Sequence, residues 1–439
     1  MTTGSLSIFE AARDAGDRVA LRTGGHAWTF AELAALVRPR FDALAAHPRD
    51  GTPVALVADN SPETAVELYA LLAAGIPAVL LHPRLTASER EQRLAAIARS
   101  GRVPHDGAAA VLYTSGTTGA PRGAVLTRSA FLASAEASAN NLGWQDDDCW
   151  LLAMPLAHVG GLSILTRCLL ARRAVALASR FDAAALPELI ATERVTLASL
   201  VPTMLARLLD DRPDWIPPAH LRAVLLGGAA ASPRLLESAS ARRVPVLVTY
   251  GLTEACSQVT TTRYETRFAP AGEGSGEPLP GTEVRIVDGR IQVRGPTLMA
   301  GYWNEPPLAP GEWFDTSDLG ELDGRGRLHV HARRTDLIVT GGENVYPVEV
   351  EGVLEECPGV AAAAVFGIPD ERWGQVVAAA LVAGGTAPSD TTLAAFVNER
   401  LAPHKRPRRI GFVSALPQTP SGKLDRSALA QFAPGLRSL

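Results

Sequence analysis

Lysine is nearly missing from this chain of 439 residues. Of its 42 lysines and arginines, two are lysines, Lys405 and Lys423. Since arginine fills almost every other cationic position, a retained lysine indicates a place where a compact ammonium is needed. Lys423 follows a turn-rich run of proline, serine and glycine, which predicts that a loop presents it. Lys423 is therefore a candidate catalytic cation, and a pair of solvated surface lysines is the alternative.

Other scarcities exclude whole classes of protein. A net charge of −4 with 20% charged residues leaves no basic stripe for nucleic acid, so no nucleic-acid partner is expected. The N-terminus lacks a basic region followed by an apolar core, and the apolar run at residues 68–81 is too short to span a bilayer, so we expect neither a secretory signal nor a membrane anchor. The four cysteines do not have the spacing of metal ligands and are too few for a disulfide framework, which favours a reducing cytoplasm. They are Cys149, Cys168, Cys256 and Cys357.

The length of the chain predicts two or more domains. Short valine, alanine and leucine runs alternate with helical stretches in the first two thirds, which predicts an α/β fold with a largely buried sheet. Predicted strands are residues 54–58, 108–113, 174–178, 197–201, 223–226 and 245–250. Ser61 and Pro62 predict the start of a helix that runs to about residue 74.

The sequence texture changes near residue 281. Two short alternating segments joined at Asp288-Gly289 predict a hairpin in a small β-rich subdomain. The last hundred residues predict a separate α+β unit. We therefore expect a large N-terminal domain, residues 1–334, and a small C-terminal domain, residues 336–439, with the boundary near Thr335.

The segment Thr114-Ser115-Gly116-Thr117-Thr118-Gly119-Ala120-Pro121-Arg122-Gly123 directly follows a predicted strand. Glycines let backbone N–H groups converge on an anion, and the hydroxyls and the arginine add donors, so the segment predicts a phosphate-binding loop. It is not a Walker loop, because that glycine-lysine pattern is absent. A flexible serine-threonine-glycine linker is the alternative.

This segment resembles the phosphate loop of the adenylate-forming family, which includes acyl-CoA synthetases, firefly luciferase and peptide-synthetase adenylation domains. Further motifs of the family follow in its order at residues 227–229, 250–254, 316–320, 333–351 and 421–423. The resemblance implies that residues 1–334 bind the acid and ATP, and that residues 336–439 form a mobile domain carrying the catalytic lysine. It also implies a hinge at Thr335.

The resemblance assigns catalysis to Lys423, Glu254 and Thr253, and Mg²⁺ binding to Glu254. It assigns ATP or AMP to Thr114, Ser115, Gly116, Thr117, Thr118, Gly119, Arg122, Gly227, Gly228, Ala229, Tyr250, Gly251, Asp318 and Arg333. Tyr250 offers a ring face to adenine, Asp318 a carboxylate to the ribose hydroxyls, and Glu254 a hard oxygen ligand. Coenzyme A is assigned to Gly341, Gly342 and, more weakly, Lys405. Each of these, taken alone, has a turn or surface residue as its alternative.

The implied chemistry is an ATP- and Mg²⁺-dependent ligation of a carboxylic acid to coenzyme A through an acyl-adenylate. Several stretches resemble the o-succinylbenzoate:CoA ligases of menaquinone biosynthesis, a subgroup that would place the acid beside His158, Gly160, Gly161, Thr203, Ser257 and Gln258. No arginine stands out as partner of a second carboxylate, and Arg167, Arg194 and Arg207 are the candidates. A related aryl or alicyclic acid stays open, and so does a homodimer.

Three departures from the family pattern matter. Arg122 stands where the loop usually has lysine, Thr335 where the hinge usually has aspartate or lysine, and Ala332 where glycine is usual. None of the departures removes a required function. Two alternatives stay open: an enzyme that loads the acid onto a carrier protein and, prompted by Arg122 and Thr335, a nucleotide-binding homologue without turnover.

Overall fold

The computed structural model describes residues 5–114, 122–269, 274–333, 336–341, 343–419 and 422–439, with the backbone alone at 332, 333 and 344. Its helices are α1 (Ile8–Ala15), α2 (Phe30–Ala43), α3 (Pro62–Ala74), α4 (Ala87–Ser100), α5 (Arg128–Leu142), α6 (Val159–Ala171), α7 (Leu186–Thr192), α8 (Pro202–Asp211), α9 (Pro233–Ala241), α10 (Pro347–Glu355) and α11 (Asp390–Arg400). Among the described residues, none of the helices combines the length and apolar character that crossing a bilayer requires.

Strands in the large domain are β1 (Val19–Thr23), β2 (His26–Thr29), β3 (Val54–Val57), β4 (Ala78–Leu81), β5 (Ala108–Thr114), β6 (Arg122–Thr127), β7 (Cys149–Leu152), β8 (Ala174–Leu177), β9 (Leu197–Leu200), β10 (Ala223–Leu226), β11 (Val246–Leu252), β12 (Ser257–Thr261), β13 (Glu277–Pro278), β14 (Glu283–Val287), β15 (Arg290–Arg294), β16 (Phe314–Leu322) and β17 (Leu328–Arg333). Strands in the small domain are β18 (Ile338–Thr340), β19 (Glu343–Val345), β20 (Val360–Asp370), β21 (Gly374–Ala383), β22 (Arg409–Val413) and β23 (Arg437–Ser438).

The predicted α/β class is confirmed. One sheet has the order β3-β4-β5-β6, and a larger sheet has the order β13-β12-β11-β10-β9-β7-β8-β1-β2. Strands β1, β8, β7, β9, β10 and β11 run parallel to one another, whereas strands β2 and β12 are antiparallel to β1 and β11. Strands β7 to β10 are buried throughout, as their valine and leucine runs predict. The predicted helix start is also confirmed, because the Ser61 side chain accepts from the Thr64 N–H at 3.1 Å and caps α3.

The predicted β-rich subdomain is the antiparallel sheet β14-β15-β16-β17. The turn between β14 and β15 has Asp288 at φ 50° and Gly289 at φ 74°, the left-handed pair that a two-residue hairpin requires. The small domain has a sheet of its own, in which β20 and β22 flank β21, and a core of its own that includes Ile338, Val350, Leu381 and Ile410. The large and small domains therefore each bury apolar side chains independently.

Candidate active site

The carboxyl ends of four neighbouring parallel strands carry most of the predicted site. His158 follows β7, Thr203 follows β9, Gly228 follows β10, and Thr253 and Glu254 form a short 3-10 turn directly after β11. Because these strands are parallel and adjacent, their carboxyl ends meet at one edge of the sheet. This edge is where open α/β sheets bind ligands.

Lys423 reaches this edge from the small domain. A Cβ atom placed on Gly228, which has φ +79°, would lie 3.0 Å from Cε and 3.2 Å from Nζ of Lys423. The Thr203 hydroxyl donates a hydrogen bond to the Gly422 carbonyl. The segment that carries Lys423, called the lysine loop below, therefore contacts the large domain through its backbone as well. Within the loop, Thr419 Oγ1 accepts from the Lys423 N–H at 3.2 Å. The structure thus brings the sequence-predicted lysine to the predicted nucleotide glycines.

Tyr250 and Asp318 lie together on the nucleotide side of the site. The Tyr250 hydroxyl donates to Asp318 Oδ2 at 2.7 Å, and Asp318 is buried. The register of β16 and β17 pairs Asp318 with Arg333. Gly251 interrupts the pairing of β11 with β12, and a Cβ there would lie 1.9 Å from the Ser257 carbonyl oxygen, so this position requires glycine. The hydrogen bond from Tyr250 fixes the orientation of the Asp318 carboxylate.

Glu254 is held by a chain of side chains that the sequence did not indicate. The Tyr302 hydroxyl donates to Glu254 Oε1 at 2.7 Å. The Arg122 guanidinium carbon lies 3.5 Å from the Tyr302 ring centroid, and its Nε donates to Glu305 Oε1 at 2.7 Å. The Glu305 carboxylate raises the pKa of Arg122 and keeps it charged. Arg122 therefore supports Glu254 through Tyr302, in addition to lying at the end of the predicted phosphate loop.

Glu254 suits Mg²⁺ as a single carboxylate beside nucleotide phosphates. In the part of the chain that the structure describes, no group of three histidine, cysteine, aspartate or glutamate side chains could hold a metal ion. Mg²⁺ in nucleotide enzymes is bound by one or two carboxylates and by substrate phosphates, so a single carboxylate such as Glu254, close to Arg122 and Tyr302, fits it. Thr253, next to Glu254, adds a hydroxyl at the same turn.

His158 lies beside a second histidine, His82, with 5.3 Å between the ring centroids. Burial is the main cause that lowers the pKa of His158 to about 4, and His82 and Lys423 lower it further. His82 Nδ1 accepts from the Arg84 N–H at 3.1 Å, and burial lowers the pKa of His82 as well. Both Nε2 atoms are buried and lack a hydrogen-bond partner among the described residues. Both imidazoles are thus neutral at pH 7.

Neither of the two predicted acyl-side glycines has room for a Cβ atom. A Cβ on Gly161 would lie 2.3 Å from the Pro155 carbonyl oxygen, and one on Gly160 would lie 2.8 Å from the Met154 methyl group. Both positions serve the turn that begins α6. Gln258 is buried and its Nε2 donates to Thr261 Oγ1 at 2.8 Å, which leaves its acceptor Oε1 unpaired among the described residues. The Nε2 amide group of Gln258 has a second N–H, so the side chain keeps one donor in addition to this acceptor.

Arg167 is the candidate arginine that the structure singles out. Arg207 is exposed on α8, whereas Arg167 on α6 is 3% exposed. Its Nη2 donates to Ser134 Oγ at 3.1 Å, and Ser134 Oγ donates to the Cys256 carbonyl at 2.7 Å, next to Ser257. Its Nε lacks a partner, and within the described ranges no carboxylate pairs with it. Burial lowers the pKa of Arg167 to about 10.

Two further buried hydroxyls lie one helical turn from Ser134 and Arg167 along α5 and α6. Ser138 lies one turn after Ser134 on α5, and Ser163 lies one turn before Arg167 on α6. The hydroxyls of Ser138 and Ser163 are buried and lack partners among the described residues. The Arg167 guanidinium is partly compensated by the Ser134 hydroxyl and by the Trp150 ring, whose centroid lies 5.7 Å from Cζ. Buried polar groups normally find partners, so a buried cation without a carboxylate, together with unpaired hydroxyls on adjacent helices, fits an anionic ligand group.

Two predicted coenzyme A residues lie on the small domain. Gly341 has φ +60°, and a Cβ there would lie 2.7 Å from Cε3 of Trp373, so this glycine allows the indole to pack on the backbone. The Lys405 ammonium donates to Glu349 Oε1 at 2.5 Å.

Several predicted site residues lie outside the described residues: Ser115, Gly116, Thr117, Thr118, Gly119, Thr335 and Gly342. Thr114 ends β5, and Ala229 is exposed after Gly228.

The family is decided by two matches. Residues 8–100 and 97–303 match the family described as AMP-binding enzyme, and residues 349–423 match its C-terminal domain. The chain belongs to the AMP-binding enzyme family. This assignment agrees with the predicted resemblance and with the predicted fold of a large N-terminal domain and a small C-terminal domain.

Individual relatives are similar over nearly the whole chain. The 2-succinylbenzoate–CoA ligase of Bacillus licheniformis is 37% identical, covering 94% of this chain and 96% of that protein. The o-succinylbenzoate CoA synthetase of Bacillus subtilis, solved with its acyl-adenylate intermediate, is 34% identical, with a TM-score of 0.86 over 97% of this chain and 98% of that one. A double mutant of the same synthetase, solved with a CoA product analogue, has a TM-score of 0.70 at 34% identity and 98% coverage of both chains.

Proposed function

We propose that this protein is an AMP-forming acid:CoA ligase that activates o-succinylbenzoate or a closely related aryl dicarboxylic acid. The observation that carries the proposal is the position of Lys423, whose ammonium lies against Gly228 at the carboxyl edge of the large sheet. The acid must meet ATP at this edge, where two anions repel each other. An ammonium delivered between them neutralises that repulsion.

In the first half-reaction, a carboxylate oxygen of the acid attacks the α-phosphorus of ATP, and pyrophosphate leaves. This step needs positioning and charge neutralisation more than a protein nucleophile. Lys423 donates to the acid and α-phosphate oxygens, Asp318 accepts from the ribose hydroxyls, and Tyr250 offers its ring to adenine. Glu254, held by Tyr302, would hold Mg²⁺, which when bound neutralises the leaving pyrophosphate.

The acid is proposed from the surroundings of Arg167. A buried guanidinium without a carboxylate partner is unfavourable in the unliganded protein, and a substrate carboxylate would compensate it. With Lys423 at the reacting carboxylate, Arg167 provides a second cationic anchor, as an acid with two carboxylates requires. The names of the similar ligases support the same substrate, since they act on 2-succinylbenzoate.

In the second half-reaction, the thiolate of coenzyme A attacks the acyl carbonyl and AMP leaves. We propose that the small domain turns about a hinge near Thr335, withdraws Lys423 and brings Gly341 and Gly342 towards the thiol. The similarity to the two B. subtilis structures supports this idea. The chain matches the adenylate-bound structure with a TM-score of 0.86 and the one with the CoA product analogue with 0.70, at equal identity.

The test is pyrophosphate release from the purified protein with ATP and Mg²⁺ over a panel of acids. The panel contains o-succinylbenzoate, 3-benzoylpropionate, which lacks the ring carboxylate, and short aliphatic acids. Turnover with o-succinylbenzoate and weak turnover with 3-benzoylpropionate are expected. Thioester formation with free coenzyme A supports the ligase. Transfer to a holo carrier protein in its place selects the carrier-loading alternative, and ATP binding without pyrophosphate from any acid selects the homologue without turnover.

We also propose the cytoplasm as the place of action, since ATP and coenzyme A are available there and all four cysteines are unpaired thiols. The expected homodimer stays a prediction, which light scattering on the purified protein tests.

A further inference from the structure

The N-terminus of α9 in the large domain contacts the small domain through one arginine. Arg234 Nη1 donates to the carbonyl oxygens of Val360 at 2.7 Å and of Glu355 at 3.0 Å. Glu355 ends α10 and Val360 begins β20, so a single guanidinium bridges two elements of the small domain. Hydrogen bonds from a charged donor to carbonyl oxygens are among the stronger ones in proteins.

A second contact lies beside this one. Ser232 caps α9 by accepting from the Leu235 N–H at 3.3 Å. Burial raises the pKa of the Glu355 carboxyl, and the nearby Ser232 hydroxyl opposes that rise. The same carboxyl accepts from the Ala363 N–H at 3.2 Å. We call Ser232 and Arg234, together with Glu355 and the Val360 carbonyl, the α9 clasp. A carboxylate at a helix N-terminus also interacts favourably with the helix dipole.

The α9 clasp is connected to the lysine loop through α10. Glu351, one turn before Glu355 on α10, is buried and accepts from Arg426 at 2.9 Å and 2.8 Å. Arg426 also donates to the Val365 carbonyl in β20 at 3.2 Å. Arg426 lies three residues after Lys423, so α10, β20 and the lysine loop are held together in one packed unit. Any displacement of α10 relative to α9 therefore displaces Lys423 relative to Gly228.

We propose that Arg234 is a positioning residue for adenylation: through the α9 clasp it holds the small domain in the orientation that places Lys423 at the carboxyl edge of the large sheet. The proposal rests on the proposed function, since it assigns Lys423 to the first half-reaction. Arg234 contacts neither acid nor nucleotide glycines and acts through the small domain. The α9 clasp must open before the small domain can turn for the second half-reaction.

The first test separates the two half-reactions in Arg234→Ala. Without the charged donor, the orientation of the small domain that adenylation needs should be less stable by roughly 1.4 kcal/mol, which corresponds to a factor of ten. We therefore expect pyrophosphate release to slow by about tenfold. Thioester formation from preformed acyl-adenylate is expected to be unchanged or faster. Arg234→Lys keeps a cationic donor and should recover part of the adenylation rate. Equal loss of both half-reactions overturns the proposal.

Arg242→Ala is the matched control. Arg242 follows the same helix and donates to the Leu209 carbonyl at 2.6 Å, within the large domain. Its removal should change neither half-reaction. In a Lys423→Ala background, Arg234→Ala should add no further loss of adenylation, because both act through one ammonium. Full additivity of the two losses contradicts the proposal.

A second test does not depend on activity. The chain has two lysines, so an amine-reactive reagent followed by peptide mass spectrometry reports Lys423 against Lys405. In Arg234→Ala, the labelling rate of Lys423 relative to Lys405 should rise severalfold, and in Arg242→Ala it should not. Unchanged relative labelling overturns the α9 clasp even if the ligase assignment holds. Raised labelling in a protein that adenylates no acid supports the clasp and refutes the proposed function.

Discussion

Replacing Arg167 by methionine should make the protein more stable while it weakens binding of a dicarboxylic acid. Burial lowers the pKa of Arg167 from 12.5 to about 10. Each unit of pKa corresponds to about 1.4 kcal/mol, so burial costs the charged side chain about 3 kcal/mol. Arg167 is protonated in both the folded and the unfolded chain at neutral pH, so this cost is present there and disappears only as the pH rises from about 10 towards 12.5.

The gain is reduced by the hydrogen bond that Arg167 makes to Ser134, which contributes about 1 kcal/mol. We therefore expect Arg167→Met to raise the free energy of unfolding by about 2 kcal/mol. The value of kcat/KM for o-succinylbenzoate should fall by roughly a hundredfold, since truncating one partner of a buried charge pair costs about 3 kcal/mol. Activity on 3-benzoylpropionate should be largely unaffected, because that acid lacks the ring carboxylate.

The assays are urea unfolding of the unliganded protein and steady-state pyrophosphate release with both acids. Arg207→Met is the control, since Arg207 is exposed on α8 and its replacement should change stability by less than about 0.5 kcal/mol. A lower free energy of unfolding in Arg167→Met, together with unchanged discrimination between the two acids, refutes the reasoning. That result would mean that Arg167 has a structural partner and does not wait for a substrate carboxylate.

Two further predictions concern His158 and Tyr302. Because the folded pKa of His158 is lowered to about 4, the unfolded chain binds its proton first as the pH falls below 6.5, so stability should decline between pH 6.5 and 4. His158→Gln should flatten that decline in urea unfolding measured against pH, and an identical slope contradicts the burial of the imidazole. Tyr302→Phe removes the donor to Glu254 Oε1 and should slow pyrophosphate release about fivefold to tenfold and raise the Mg²⁺ concentration for half-maximal rate. Isothermal calorimetry with an ATP analogue and Mg²⁺ measures Mg²⁺ binding without turnover. A Mg²⁺ dependence that is unchanged in both calorimetry and pyrophosphate release contradicts the role of Tyr302.

Local features of the fold could be predicted because they depend on neighbouring residues. Ser61 and Pro62 start α3 where a cap and a first-turn proline favour a helix, and Asp288-Gly289 forms the expected hairpin turn. The order of strands in the large sheet depends on packing between segments that are distant in sequence. No local pattern indicated that β1 lies between β8 and β2.

The same difference applies to the site. Lys423, Tyr250 and Asp318 could be selected because each stands in a recognisable motif, and the structure brings Lys423 to Gly228 and Tyr250 to Asp318. The supporting contacts could not be selected, because they join distant positions. Arg122 and Glu305 are 183 residues apart, and Arg234 and Val360, which join the two domains, are 126 residues apart. The reason for glycine at position 161 could not be selected either, because the Pro155 carbonyl that excludes a Cβ there lies in a turn whose geometry the sequence did not indicate.

The measurement that tests the central claim most directly compares the two half-reactions in Lys423→Ala. Pyrophosphate release with o-succinylbenzoate should fall by at least about a hundredfold, because a charge-stabilising donor is lost from the transition state. Thioester formation from preformed o-succinylbenzoyl-adenylate and coenzyme A should stay close to that of the unmodified protein. A variant that loses both half-reactions equally, or neither of them, contradicts the claim that the small domain brings Lys423 to the first half-reaction alone.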